Sequence, residues 1–376
     1  MKLERLAITC GGTGGHFYPG LSVARALRAG GGEALLLLSG VNAPRQKEIA
    51  ESYGVPAVAL PRMPSPHGIG TAFAFGFGAL GGLGASLREL KRFRPQALLG
   101  MGSFTSLPPI LAAHLRGIPV FLHDGNARIG KANRFFSSGA KLLATAFPPC
   151  NADKCRCEVL VTGMPLRPEL EAAAGISRVE AMAELERLFE VKLESEVPTI
   201  LVFGGSQGAA IFNAAVPAAL KRLQGRRRFQ LLHLAGPGKL EATKQAYGEV
   251  SFPLLLLESS GRMELFLGAA DLVVCRSGGS TVAELARFGK ASVLIPYPFA
   301  AEHHQDDNAR VLERAGGAEF LPNAECSPER LEALFDRLLA APETLAGLGR
   351  GAAACAVPDA AGRLIAELTN RLREQP

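Results

Sequence analysis

The chain has no tryptophan, and aromatic residues of all kinds are only 6%. Leucine, valine, isoleucine and alanine must therefore build its cores. Cysteine is sparse and odd in number: Cys10, Cys150, Cys155, Cys157, Cys275, Cys326 and Cys355 are scattered along the sequence, which excludes the disulfide framework of a small secreted domain. Cys150, Cys155 and Cys157 share one stretch without a fourth ligand beside them, so they read either as a metal site or as reduced cytoplasmic thiols. A secretory leader is not expected, because the first apolar run, residues 6–10, is short and ends in glycines. A membrane-spanning helix is not expected either. Residues 68–87 carry no charge over roughly the length that crosses a bilayer, but seven of them are glycine, which favour no stable helix on their own; a buried helix of the first domain is the plain alternative for this segment.

At 376 residues the chain is long enough for two domains. Apolar residues at 48% and charged residues at 20% exclude general disorder. A net charge of +6 favours an anionic partner (phosphate, nucleic acid or an anionic membrane) without choosing among them. Glycine is abundant at 43 residues, much of it clustered just after apolar runs.

Short apolar runs alternate with helical patterns. Strands are expected at 5–10, 34–38, 57–60, 97–101, 119–123, 142–145 and 159–162, and again at 199–203, 230–234, 254–257, 272–275 and 292–295. Most are continuous rather than alternating, as in strands buried on both faces. Helices are expected between them, at 19–29, 106–115, 209–223, 263–267, 281–288 and 306–315. This is the βαβα pattern of a doubly wound parallel sheet, stated twice. The break falls near 163–171, where Pro165 and Pro168 interrupt the periodicity. Two such domains would meet across a cleft at the carboxyl ends of their strands, where open sheets bind ligands.

Five loops carry the chemistry. Residues 10–16, Cys-Gly-Gly-Thr-Gly-Gly-His, follow the first strand, with Pro19 expected to open the helix. Backbone N–H groups there can approach an anion, aided by the helix dipole. A dinucleotide fingerprint is excluded, since Phe17 stands where its third glycine would be and Ser39 where its acid would be. Residues 125–132 nearly spell a P-loop, but Ala132 replaces the hydroxyl that would hold Mg²⁺; His123, Asp124 and Asn126 at the strand tip are better placed for polar contacts. Residues 203–209, Phe-Gly-Gly-Ser-Gln-Gly-Ala, repeat the strand–glycine–helix logic with Ser206 as a donor. Residues 276–284 run from a strand tip into a helix. Thr281 and Glu284 there read either as a capping box or as a phosphate site with a carboxylate suited to a ribose diol. Residues 296–308 deliver His303, His304, Gln305 and Asn308 from a Pro-rich turn. Adjacent histidines do not share a helix face, so sugar-reading amides fit better than a metal.

In this order, GGTGGH at 11–16, TG-x-P-x-R at 162–167, FGGSQGA at 203–209, RSGG-x-T-x-x-E at 276–284 and HQ-x-x-NA at 304–309 resemble the MurG family. These are GT-B, two-domain α/β enzymes that transfer N-acetylglucosamine (GlcNAc) from UDP-GlcNAc to lipid I. The resemblance implies residues 1–163 with a returning C-terminal helix, 358–376, as an acceptor and membrane domain, and 164–357 as the UDP-GlcNAc domain. It implies that Ser206, Arg167 and Thr281 contact the donor diphosphate, with Gly279, Ser280, Val282 and Ala283 around them. Glu284 would bind the ribose, the backbone near Ser260 would read uracil, and Asn126 and Gln305 would hold GlcNAc. Thr13, Gly14 and Gly15 would line the cleft. Departures from the family pattern are His123-Asp-Gly-Asn126 for HEQN, Thr162-Gly-Met-Pro165 for TGNP, Gly102-Ser-Phe104 for a GGY loop, and Ser259–Ser260 beside the base.

The implied reaction is an inverting transfer to the 4-hydroxyl of lipid-linked N-acetylmuramic acid (MurNAc), with no cofactor and no metal. His16 is a candidate base, its pKa expected to be pushed down at a helix start; it reads equally as a phosphate hydrogen-bond donor. Asp124 is a second candidate. A peripheral location on the cytoplasmic face of the membrane is expected, docked through Ile69, Phe73, Phe75, Phe77, Leu80 and Leu83 with Arg88, Lys91, Arg92 and Arg94 toward anionic headgroups. A non-hydrolysing UDP-GlcNAc epimerase is the alternative enzyme. A nucleic-acid module is the alternative from another class, and no nucleic-acid partner is expected.

Overall fold

The structure, a computed structural model, describes residues 2–62 and 69–373, with side chains throughout except at 69–77. It divides into two compact units, Met1–Pro168 with Val357–Pro376, and Glu169–Ala356. Residues 164–168 and Val357 thus group with the first unit.

In the first unit, β1 (Arg5–Gly11), β2 (Glu33–Ser39), β3 (Ala57–Ala59), β4 (Ala97–Gly100), β5 (Val120–Asp124), β6 (Leu142–Thr145) and β7 (Val159–Val161) form a sheet of order β3-β2-β1-β4-β5-β6-β7. Its pairings are parallel. Alternate residues of each strand feed two separate cores, because successive side chains leave opposite faces. Leu6, Ile8, Leu36 and Leu38 pack with the Gly14–Ala29 helix and with Leu364, Leu368 and Leu372 of the Ala360–Arg373 helix. Ala7, Leu35, Leu37 and Leu98 pack with Leu90, Ile110 and Ala113 on the other side. The C-terminal helix is tied in place by Arg371 to Glu158 at 2.7 Å and by Gly163, where a Cβ would lie 2.7 Å from Val357 Cβ.

In the second unit, β8 (Thr199–Phe203), β9 (Gln230–Leu234), β10 (Leu254–Leu257), β11 (Leu272–Cys275), β12 (Ala291–Leu294) and β13 (Ala318–Phe320) form a parallel sheet of order β10-β9-β8-β11-β12-β13. Its core takes Ile200, Val202, Leu231, Val274 and Val293 from the strands, and Phe212, Val216 and Phe335 from covering helices. In both sheets the strand order reverses beside the first strand, between β1 and β4 and between β8 and β11. That reversal opens a crevice at the carboxyl edge, where the glycine loops lie.

Two elements differ from the sequence reading. The first helix begins at Gly14, with Pro19 inside it. The glycine-rich segment forms a 25-residue helix, Ile69–Phe93. One of its glycines serves close packing: a Cβ on Gly82 would stand 3.1 Å from Pro108 of the neighbouring Leu107–Leu115 helix. Tertiary contact there outweighs the poor helix propensity of glycine. Among the described residues no helix is long and apolar enough to cross a membrane.

Candidate active site

In the first unit, β1 delivers its glycine loop through a turn that only glycine fits. Gly11 has φ +136°, and a Cβ there would meet Ser39 O at 2.4 Å. Gly12 N–H donates to Ser39 O at 2.9 Å, and Asn42 Nδ2 donates to Gly12 O at 2.8 Å. Thr13 is the N-cap of the following helix but makes no side-chain capping bond. Thr13, Gly14 and Gly15 are exposed, so the helix opens onto solvent as an anion site would require.

His16 sits in the first turn of that helix. Its Nδ1 lies 2.8 Å from Met101 O. A carbonyl only accepts, so Nδ1 carries the proton and Nε2 is the basic nitrogen of the neutral ring. Gly102 (φ +94°) backs the imidazole: a Cβ there would lie 3.1 Å from His16 Cε1 and 3.5 Å from Asn133 Nδ2.

Asp124 ends β5, next to this group, and its carboxylate is buried and fully engaged. It accepts from Asn126 N at 3.1 Å, Asn126 Nδ2 at 3.3 Å, Gly130 N at 2.8 Å and Asn133 Nδ2 at 3.0 Å. It therefore folds the 125–130 loop around itself and sets where Asn126 stands. His123 is also buried; its Nε2 donates to Gly163 O at 3.0 Å, and burial lowers its pKa against the raising effects of that bond and of Asp124. Arg167 lies over the Tyr18 ring, 5.7 Å from its centroid, at the same edge of this unit.

The second unit repeats the arrangement. Ser206 is exposed on the loop after β8, which leads into the Ala210–Leu223 helix without a side-chain cap. The Gly279–Phe288 helix follows β11 with Gly278 as its N-cap and no capping side chain. The capping-box reading of Thr281 and Glu284 is therefore not realised: both lie inside the helix. Val282 is fully buried and its N–H is spent on Gly278 O at 3.0 Å, which leaves Gly279, Ser280 and Thr281 as the N–H groups at the helix mouth. Glu284 follows Thr281 by three residues, on the same face of the helix. Ser260, beyond β10, accepts from Arg262 N at 3.0 Å and so shapes its own turn. Gln305 Oε1 accepts from Tyr297 N at 2.9 Å, so what its side chain has left to offer is donation from the amide hydrogens. Ser277 Oγ donates to Gln305 O at 2.8 Å and Asn308 Nδ2 to Ser277 O at 3.0 Å, joining the fourth and fifth loops.

Several site-building roles were not read from the sequence, although Arg276 itself opens one of the quoted motifs. Arg276 donates to Ile295 O, Pro296 O and Asn323 Oδ1 at 3.0, 2.8 and 2.8 Å and stacks on Phe212 at 4.8 Å, clamping the ends of β11 and β12. Asn133 and the Met101 carbonyl act at long sequence range, where no local spacing marks them. Among the described residues no group of three or more His, Cys, Asp or Glu is placed to hold a metal ion.

Residues 6–145 match the Glycosyltransferase family 28 N-terminal domain, and residues 199–364 match the family 28 C-terminal domain. The chain is 34% identical to the UDP-N-acetylglucosamine–N-acetylmuramyl-(pentapeptide) pyrophosphoryl-undecaprenol N-acetylglucosamine transferase of Sinorhizobium fredii, over 97% of this chain and 94% of that protein. It is 35% identical to the protein of the same name from Methylorubrum populi, over 96% and 95%. Among solved structures, Acinetobacter baumannii MurG superposes with a TM-score of 0.78 at 28% identity, covering 98% of this chain and 99% of that one. A Neisseria meningitidis UDP-GlcNAc 2-epimerase superposes at 0.69 with 13% identity, covering 97% and 100%, a likeness of fold alone. Over its full length, then, the chain is a GT-B glycosyltransferase of family 28 and belongs to the MurG family.

Proposed function

We propose that the chain transfers GlcNAc from UDP-GlcNAc, with inversion, to the 4-hydroxyl of MurNAc in undecaprenyl-diphosphate-MurNAc-pentapeptide (lipid I). The products are lipid II, the β1,4-linked disaccharide lipid, and UDP. One observation supports this chemistry above the others: each glycine loop at a carboxyl strand edge runs into a helix whose mouth has no side-chain cap. Such mouths carry the partial positive charge that a departing diphosphate needs.

The acceptor oxygen attacks C1 of GlcNAc as the bond from C1 to the diphosphate oxygen breaks, and the electron pair leaves with UDP. The hydroxyl proton passes to Nε2 of His16, the nitrogen that the Met101 bond leaves basic. Ser206, Arg167 and the N–H groups of Gly279, Ser280 and Thr281 receive the diphosphate charge. Glu284 accepts from the ribose hydroxyls, while Asn126 and Gln305 hold GlcNAc hydroxyls. Asp124 works one step back, by fixing the loop that carries Asn126.

The acceptor's polyprenyl tail stays in the bilayer, so the enzyme works peripherally at the cytoplasmic membrane face. The side chains of Ile69, Phe73, Phe75 and Phe77 lie outside the described residues. Next to them on the same helix, Leu80 is 68% exposed, and Phe104 and Phe135 on neighbouring segments are 51% and 66% exposed. Arg88, Lys91, Arg92 and Arg94 gather with Arg5 around a cavity of about 570 Å³.

Incubation with UDP-GlcNAc and a lipid I analogue is expected to give the disaccharide product, with or without chelator; no product from the folded enzyme in the absence of chelator would refute the assignment, and metal-reversible loss in chelator would refute metal independence alone. Glu284→Ala is expected to weaken UDP-GlcNAc binding by about 1.5–3 kcal/mol, the range for hydrogen bonds to a charged group. Binding as tight as the parent's would remove Glu284 from the donor site.

A further inference from the structure

The glycine loop after β8 rests on backbone alone. Gly208 (φ +66°) and Gly236 (φ +94°) lie back to back. A Cβ on Gly208 would stand 2.2 Å from Ala235 O, and one on Gly236 would stand 2.5 Å from Gly208 Cα. The level of the 204–208 loop is therefore set by the turn at Ala235–Gly236, where β9 ends.

That turn is held from behind by a buried chain of side chains. Asn213, in the first turn of the helix leaving the loop, donates through Nδ2 to Ala235 O at 3.0 Å. The carbonyl can only accept, so the amide orientation is fixed and Asn213 Oδ1 faces His233 Nε2, 3.1 Å away. Nε2 must then carry the ring proton. Nδ1 is left as an acceptor, and Tyr247 Oη donates to it at 2.7 Å. His233 is fully buried, and Tyr247 and Asn213 are 1% and 9% exposed. Burial also pushes the His233 pKa down to about 3, so the ring stays neutral at any working pH. Each polar atom in the chain has one partner of the right polarity, and the chain ends on the carbonyl directly beneath the loop.

We propose that Asn213, His233 and Tyr247 are positioning residues for the donor diphosphate. None touches ligand. Through one ordered set of protons they fix the Ala235–Gly236 turn, and through the glycine contact they fix Gly208 and Ser206 at the level where the loop meets the leaving phosphates. A histidine kept only to fill the core would need no such termination, because an apolar residue fills the same volume without a buried donor to satisfy. The inference rests on the reading of the 204–208 loop as a donor site.

Tyr247→Phe removes the bond to Nδ1 while keeping the aromatic ring edge-on to His233. It is compared with Asn213→Ala, His233→Leu, His233→Gln and, as a marker for the loop itself, Ser206→Ala. The readings are the UDP dissociation constant, KM for UDP-GlcNAc, KM for a soluble acceptor, and Tm. Tyr247→Phe and Asn213→Ala are expected to raise the UDP dissociation constant and donor KM by roughly three- to thirty-fold, a part of the cost of leaving one buried group unpaired, and to leave the acceptor KM unchanged. His233→Gln, whose amide can donate to Asn213, is expected to recover part of the affinity lost in His233→Leu. Nitrogen NMR of the wild-type ring is expected to show Nε2 protonated and Nδ1 bare. Donor affinity unchanged in folded Tyr247→Phe and Asn213→Ala, with UDP weakened in Ser206→Ala, would reduce the network to core packing. UDP binding unchanged in Ser206→Ala as well would instead overturn the donor-loop reading beneath it.

Discussion

A histidine serves as a base when its second nitrogen is committed elsewhere, and the bond from His16 Nδ1 to Met101 O at 2.8 Å supplies that commitment. His16→Ala is expected to lower kcat by about 10²–10⁴, the usual worth of a general base, with the UDP dissociation constant nearly unchanged. Equal losses in both would make His16 a phosphate ligand. Asp124 has the opposite character, because its two oxygens accept four bonds. An amide in its place has one accepting oxygen, so Asp124→Asn orphans a buried donor. It is expected to cost about 1–3 kcal/mol of stability, seen as a fall in the denaturation midpoint, while the pH–rate profile keeps the wild-type acidic limb, where protonation of the base stops turnover. Loss of that limb at unchanged stability would make Asp124 the base. Sequence made both residues visible as polar groups at strand tips. It did not distinguish their roles, because the deciding partners, the Met101 carbonyl and Asn133, are 85 and 9 residues away and carry no local signature.

At the level of elements, the strands were the most legible part, since a strand buried on both faces reads as an unbroken apolar run and needs no partner to be recognised. The exception is β13, three residues, Ala318–Phe320, with a glutamate at its centre, too short and too polar to stand out. The Ile69–Phe93 helix was legible only as an alternative reading, for the opposite reason. Its glycines argue against a helix locally, and Gly82 makes sense only once Pro108 is packed on it. Two departures from the family pattern, Gly125 and Met164, also turn out to be one feature. A Cβ on Gly125 would lie 2.7 Å from Met164 Cε, and Met164 is 4% exposed, so the glycine leaves room for the thioether. Gly125→Gln alone must displace the buried Met164 and is expected to cost about 1–3 kcal/mol. Met164→Asn alone buries an amide in the space left behind. The double variant is expected to recover part of both losses, with a coupling of about 0.5–3 kcal/mol, in stability and in kcat alike. Strict additivity across that cycle would mean that the two positions act independently.

For the molecule as a whole, each unit carries, among the described residues, one buried histidine whose pKa burial lowers, His123 in the first and His233 in the second, the latter to about 3. The unfolded chain, with histidines near 6.5, therefore takes up protons that the folded chain refuses. The associated stability is complete above about pH 6.5 and is lost as pH falls toward the folded pKa, so denaturant midpoints are expected to drop across that range. His233→Gln is expected to flatten the slope; an unchanged slope would place the acid sensitivity elsewhere. The proposed membrane docking is also tested at this scale, through its pose. The Ile69–Phe93 helix, 25 residues long, extends about 37 Å, with its apolar opening at one end and Arg88, Lys91 and Arg92 at the other. Both ends reach one flat surface only if the helix lies along it. Leu80, Gly84, Arg88 and Lys91 are exposed at helical spacing, which is the stripe such a pose presents. Sedimentation with anionic vesicles at low and high salt separates this pose from insertion of the apolar end alone. Leu80→Ser/Phe135→Ser is expected to weaken binding at both salt levels, because burial of apolar surface is little affected by screening. Arg88→Glu/Lys91→Glu is expected to weaken it at low salt and to remove most of the salt dependence, because headgroup attraction is screened. If the charge variant binds like the parent, with the parent's salt dependence, the basic end does not reach the bilayer and the helix meets it end-on. Both variants are expected to keep full turnover on a soluble short-chain acceptor, which assigns their defect to docking; turnover lost there too would mean that the substitutions disturb the first unit itself.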